Sequence, residues 1–171
     1  MKLRRWMAGG LAALALAVQV PTVRAEADKP LEPIAVEYWN PPREDVEALA
    51  RLVWGEARGV KTRAEQEAVI WCVLNRVDSP DFPDTVVGVV TQRKQFTGYS
   101  RKNPLEREFL LMADEILWLW HKEKQGCPYI ERCLPADYCY FAGNGKTNRF
   151  STSWPIRRSE CYRFDTKKDP A

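Results

Sequence analysis

A single histidine, His121, serves the whole 171-residue chain, and that scarcity removes several chemistries at once. A Ser-His-Asp or Cys-His site would have to be built on that one ring. It lies among Trp118, Trp120 and Lys122, near the expected end of a helix, where a histidine commonly serves the helix dipole. A zinc-binding HExxH helix needs two histidines, and the five cysteines lack the paired CxxC spacing of a structural zinc site. The nine glycines form no phosphate-cradling run, and the chain has no internal repeat. Neither a metal nor a cofactor is expected. Asp and Glu remain as the catalytic groups.

Long apolar runs are confined to the N-terminus. There Lys2, Arg4 and Arg5 precede "WMAGGLAALALAVQV", which ends at Pro21 and "TVRA". This pattern predicts a signal peptide at 1–25, cut after Ala25, and an exported protein. The run is short for a bilayer span and is broken by Gln19 and Pro21, so membrane contact is expected only through this segment if it stays uncleaved. Residues 26–41, with Pro30, Pro33 and alternating charge, read as a linker or surface arm ahead of one domain at 42–168.

A basic surplus is missing too. The formal charge is +3, but residues 1–25 hold four of the 26 Lys and Arg (Lys2, Arg4, Arg5, Arg24) and none of the 23 Asp and Glu. That leaves 22 against 23, a balance of −1, which speaks against a nucleic-acid partner. Local basic clusters at Arg93, Lys94, Arg101 and Lys102, and from Lys146 to Arg163, suit either a solvated face or an anionic polymer such as a cell wall.

All five cysteines follow the cleavage point. In an oxidising compartment, bridges are expected among Cys127, Cys133, Cys139 and Cys161, in any of three pairings. Cys72, inside "AVIWCVLNRV", reads as a buried free thiol.

Hydrophobic spacing then organises the domain. Val46, Leu49, Ala50, Val53 and Ala57 recur at three and four, which predicts an amphipathic helix from Pro42 to Arg58 with Gly59 as its stop. "TRAE" reads as a capping box, Thr62 with Glu65, opening a second helix through "QEAVIWCVLNRV". Asn75 and Arg76 are read as tying the end of that helix to its neighbours. "DSPDFPD" ends it, and Pro83 can start a short turn of helix through "DTVVGVV". "TQRKQFTGYSRKN" reads as an exposed loop available to ligands. Asn103 and Pro104 are expected to begin a third long helix running to Gly126. Beyond it, "DYCYFAG" and "SECYRFD" are predicted as two strands joined by the long connection "NGKTNRFSTSWP". The fold class is α+β, mostly helical, with a small C-terminal antiparallel sheet. Of seven tryptophans, Trp54, Trp71, Trp118 and Trp120 fall on helical patterns and read as core, while Trp39 and Trp154 are groove-wall candidates.

Glu56 is the best placed acid. It follows Leu52 and Val53 by four and three residues, at the border of the apolar stripe. A carboxyl at such a border loses part of its hydration, which favours the protonated form able to donate a proton. An ordinary boundary glutamate paired with Arg58 or Arg63 would fit the same spacing.

"LARLVWGEARGV", "EAVIWCVLNRVDSPDFPDTVVGVV", "KQF" and "YCYFAGN", in this order, resemble the spore cortex-lytic enzyme group of bacterial cell wall hydrolases, over roughly residues 45–164. The resemblance implies a lysozyme-like, lytic-transglycosylase-like fold and cleavage of peptidoglycan glycan strands. It also implies that Glu56 is the catalytic acid, that Gln95 and Phe96 line the glycan groove, and that Tyr99 and Tyr140 are further substrate-binding candidates. Two departures stand out: Val60 and Lys61 follow where relatives continue "EARGE", and the C-terminal cysteines and "NGKTNRF" differ from the commoner pattern.

Glycoside cleavage usually takes two carboxyls. Glu65, Glu67, Asp78, Asp81 and Asp84 are available, but the capping box accounts for Glu65 and turn positions account for the three aspartates. A one-acid mechanism acting on MurNAc-GlcNAc bonds, in a monomer whose partner is the glycan strand, is therefore preferred. If water is the acceptor instead, Asp78 or Asp81 comes first as a second acid. The alternatives are a secreted glycan-binding or germination-accessory protein on the same fold, and an inhibitor or structural disulfide-rich module. The long apolar helices, which supply a core without bridges, speak against the latter.

Overall fold

The computed structural model describes residues 39–164. The expected signal peptide lies outside these residues, as does the linker up to residue 38. Helix α1 spans Arg43–Ala57, α2 Arg63–Asp78, α3 Val86–Val90 and α4 Arg107–Lys124; strands β1 (Tyr140–Gly143) and β2 (Asn148–Ser151) follow. This is the mostly helical α+β arrangement with a small C-terminal antiparallel sheet that the sequence predicts.

The stripe on α1 buries Leu49, Leu52 and Val53 completely, and α1 packs on α2, α3 and α4. Burial of each such side chain contributes about 1.5–3 kcal/mol relative to exposure. Helix α2 is the central element, with every position from Ala68 to Arg76 buried. That buried stretch has no polar face, so its two polar residues, Asn75 and Arg76, need partners inside the protein. Asn75 Nδ2 donates to Pro135 O (2.8 Å) and Tyr138 O (2.9 Å), and Arg76 Nε donates to Cys139 O (2.6 Å). The two residues thus fasten the segment after α4 to α2, as expected.

Several local expectations give way. The capping box does not form: Thr62 makes no side-chain cap, its Oγ1 is buried without a hydrogen-bond partner, and Glu65 Oε2 accepts from Asn148 N of β2 instead (2.8 Å). Glu65 thus supplies the acceptor for a strand N–H and ties α2 to the hairpin. Helix α4 starts at Arg107, after Glu106, because Asn103 is drawn away from a capping role. Its Nδ2 donates to Gly98 O (2.8 Å) and Arg51 O (3.0 Å). The second strand is "NRFS", from within the predicted connection, whereas in "SECYRF" Ser159 and Glu160 end a 3-10 turn that spans Arg158–Glu160 and residues 161–164 form no strand. Tyr162 N still donates to Phe150 O (2.9 Å). The hairpin is set by Asn144 and Gly145. Asn144 Oδ1 accepts from Lys146 N (3.0 Å) and Thr147 N (2.9 Å), and Gly145 has φ +81°, the left-handed region that suits glycine.

Cys127, Cys139 and Cys161 are free thiols in the structure, so none of the three expected pairings is formed in it. Cys72 is a buried thiol, as expected. Trp71 is core, but Trp54, Trp118 and Trp120 are only partly buried. Trp39 stacks face to face on His121, centroids 4.0 Å apart, and so packs on the end of α4.

Candidate functional site

Glu56 lies in the last turn of α1, half-buried. Two glycine contacts bring other segments to it. A Cβ on Gly55 would lie 2.0 Å from Gly98 O, and one on Gly98 would lie 2.5 Å from Gly55 O and 3.1 Å from Glu56 Cδ. The loop between α3 and α4 therefore crosses α1 backbone to backbone, which only paired glycines permit. In that crossing Gly98 N donates to Glu56 Oε1 (2.6 Å), a charge-assisted bond when the carboxyl is ionised. On the other side, Gly59 meets the hairpin turn, where a Cβ would lie 2.3 Å from Gly145 O. Gly59 thus ends α1 through this contact, the helix cap being Arg58 in an ordinary right-handed conformation.

The basic neighbours do not pair with Glu56. Arg58 donates to Trp54 O (3.0 Å) and lies 4.1 Å over the Trp54 ring. Arg63 is held by Glu67 (2.6 Å) and Glu115 (2.8 Å). The boundary-glutamate reading fails on this point. Among the described residues Glu56 makes no ion pair, and Gly98 N engages Oε1 alone, which leaves Oε2 for another partner.

Three of the other candidate acids are occupied, among them Glu67, which pairs with Arg63. Asp78 pairs with Lys124 (2.6 Å) and accepts from Trp120 Nε1 (3.1 Å). Glu65 holds Asn148 N. His121 is within 3.0 Å of Gln125 Nε2 and stacked on Trp39, a structural setting. Among the described residues, no cluster of His, Cys, Asp and Glu could hold a metal ion.

The glycine crossing also presents the rest of the loop. Gln95 lies three residues before Gly98, so its Cα is no more than about 11 Å from that of Gly98. It lines a cleft of about 500 Å³ together with Arg76, Lys94, Tyr140, Phe141 and Trp154. The cleft thus gathers Gln95 and Tyr140, with Trp154 as the aromatic wall, 67% exposed. Phe96 supports it from beneath; it is 7% exposed, with its ring centroid 5.8 Å from that of Phe141. Tyr99 stands apart, in a hollow with Glu44, Glu47, Ala48, Arg51, Val87 and Arg101.

Sequence reasoning missed Gly55, Gly98, Asn103 and Lys94. A signal existed for two of them: a glycine inside a helical pattern costs about 1 kcal/mol relative to alanine, so Gly55 needed a packing reason, and Gly98 is its counterpart. Lys94 has φ 65°, which no pattern foretells in a lysine.

The family model described as Cell Wall Hydrolase matches residues 61–155, more than half of the chain and beginning just after Glu56. The chain is 33% identical over 99 residues to the spore cortex-lytic enzyme of Bacillus subtilis (strain 168), covering 50% of the chain and 32% of that protein. To the spore cortex-lytic enzyme of Oceanobacillus iheyensis it is 36% identical over 80 residues, 47% of the chain and 24% of the relative. To that of Halalkalibacterium halodurans it is 45% identical over 53 residues, 31% and 16% respectively. The matches thus span about a third or less of these relatives' length. No solved structure matches the chain.

Proposed function

Because the chain belongs to the cell wall hydrolase family, we propose that it cleaves peptidoglycan glycan strands, with Glu56 as the single general acid and base. The observation that carries this reading is the Glu56 carboxyl, oriented by Gly98 N through Oε1 and free of any ion pair among the described residues. A carboxyl so held has one oxygen fixed and the other available to a substrate, in reach of the loop that carries Gln95.

In the proposed reaction, protonated Glu56 gives its proton to the glycosidic oxygen after a muramic residue, and the C1–O bond breaks. The acetamido oxygen of the same sugar stabilises the cation that develops at C1. The Glu56 carboxylate then takes the proton of the C6 hydroxyl as its oxygen closes on C1, which restores the acid and leaves a 1,6-anhydromuramic end. A one-acid route is favoured because Asp78 and Glu65 are engaged elsewhere. Gln95 and Tyr140 bind the strand in the cleft with Trp154 against a sugar face; Phe96 acts by support. Tyr99 would meet the strand only where it extends toward the start of α1.

The reading requires export, consistent with the expected signal peptide, and assigns the peptidoglycan relation of the cortex-lytic relatives to this chain. Mass analysis of soluble products from purified sacculi tests it. Anhydro ends are expected. Reducing ends would replace the intramolecular step by attack of water and call for a second carboxylate, while binding to sacculi without soluble product would make the protein a non-catalytic binder.

A further inference from the structure

Arg76 is the anomaly of the cleft. It is 3% exposed, yet it lines the hollow, and a guanidinium stays charged under all ordinary conditions. Its named oxygen partners are neutral: Nε donates to Cys139 O (2.6 Å) and Nη1 to Gln95 Oε1 (3.1 Å). The rings of Phe82 and Phe96 lie 4.9 Å from its Cζ and that of Tyr140 5.7 Å. Among the described residues no carboxylate pairs with it. Asp81 and Asp137 line an adjoining hollow that shares Tyr140, but neither is within ion-pair distance of Arg76. A buried charge without a counter-charge is costly, and proteins ordinarily pair it.

Lys94 supplies a second cation at the same cleft. It is exposed, and its φ of 65° places a lysine in the left-handed region, where glycine or asparagine is the easier residue. Nothing in the ion-pair network of the described residues uses its ammonium. Gln95, exposed and hydrogen-bonded to Arg76, is the side chain an incoming anion would displace or join.

We propose that Arg76 and Lys94 form a carboxylate-binding position in this cleft, which selects glycan strands carrying an acidic group on the muramic residue. The inference rests on the glycan-strand reading above. Two sources supply that chemistry: the lactyl carboxylate of a peptide-free muramic residue, or a carboxylate of the stem peptide attached to it. A muramic residue whose lactyl group is closed into a lactam offers neither.

The test is equilibrium binding of soluble glycan strands of one length to the Glu56→Gln protein. Three preparations are compared: peptide-bearing, peptide-stripped, and stripped with the lactyl carboxyl reduced to an alcohol. The reduced strand is expected to bind about tenfold more weakly than the better acidic strand, and which acidic strand binds better identifies the source. Lys94→Asn, which removes the charge and suits the backbone, is expected to shrink that preference about threefold. It also keeps the test decisive should Arg76→Gln fail to fold. Equal affinity for all three strands overturns the carboxylate position and leaves the glycan reading standing. A preference that Lys94→Asn does not alter also overturns it, as does one that persists in a folded Arg76→Gln protein, while absence of binding to any strand overturns both.

Discussion

Gly55→Ala sets two effects of opposite sign against each other. By helix propensity alone the change stabilises α1 by up to about 1 kcal/mol. The added Cβ, however, would lie 2.0 Å from Gly98 O, 2.5 Å from Gly98 C and 2.8 Å from Asn103 Nδ2. The nearest atoms are backbone, so the loop must move rather than a side chain swing aside. Overpacking of this kind costs about 1–3 kcal/mol. Displacement of the loop also weakens the bonds Gly98 N makes to Glu56 and Asn103 Nδ2 makes to Gly98 O, each worth about 0.5–1.5 kcal/mol or more. The net expectation is a loss of about 2 kcal/mol, or roughly 8 °C in Tm for a domain of this size. Cleavage of sacculi should fall further than stability, because the same displacement removes the group that orients Glu56. Thermal unfolding by circular dichroism and turbidity clearance at a temperature where both proteins are folded read the two effects separately. A Gly55→Ala protein that melts higher and clears sacculi at the original rate would refute the argument that the close crossing matters.

Two further outcomes follow from buried groups. Burial pushes the Cys72 thiol up to about 12, so at pH 8 only roughly one part in ten thousand is the reactive thiolate. Alkylation of the native protein under reducing conditions should therefore modify Cys127 and Cys161 and spare Cys72 until denaturant is added; rapid native labelling of Cys72 would contradict the packing of α2. Glu65→Ala removes the acceptor of Asn148 N and should destabilise by about 1–2 kcal/mol, seen as a lower urea midpoint; an unchanged midpoint would mean the bond does not anchor the hairpin.

What could be read from the sequence was what local periodicity controls. The extent of α1 follows from its spacing of three and four, the end of α2 from the prolines of "DSPDFPD", and Gly126, with φ +82°, closes the turn after α4 as a helix-ending glycine should. The errors arose where a residue with strong local preference was claimed by a distant partner. Asn103 and Glu65 both have helix-start chemistry, but Asn103 bonds Gly98 and Arg51, and Glu65 bonds the hairpin. "SECYRF" alternates like a strand, yet it begins in a 3-10 turn and pairs with no strand, while "NRFS" forms β2 because Asn144 and Gly145 set a tight turn just before it. The border position of Glu56 was legible because it is a property of its own helix. Its orienting donor was not, since Gly98 is 42 residues away in sequence. Arg76 was read correctly as a tie, but its lack of a counter-charge is a fact of the assembled interior.

The most direct measurement is the rate at which Glu56→Gln releases soluble glycan from purified sacculi, at equal concentration of folded protein. The amide keeps the shape and can still accept from Gly98 N, but it cannot give and retake a proton. The account predicts a fall of at least about a hundredfold, with sacculus binding retained; release within a few-fold of the unaltered protein would contradict it.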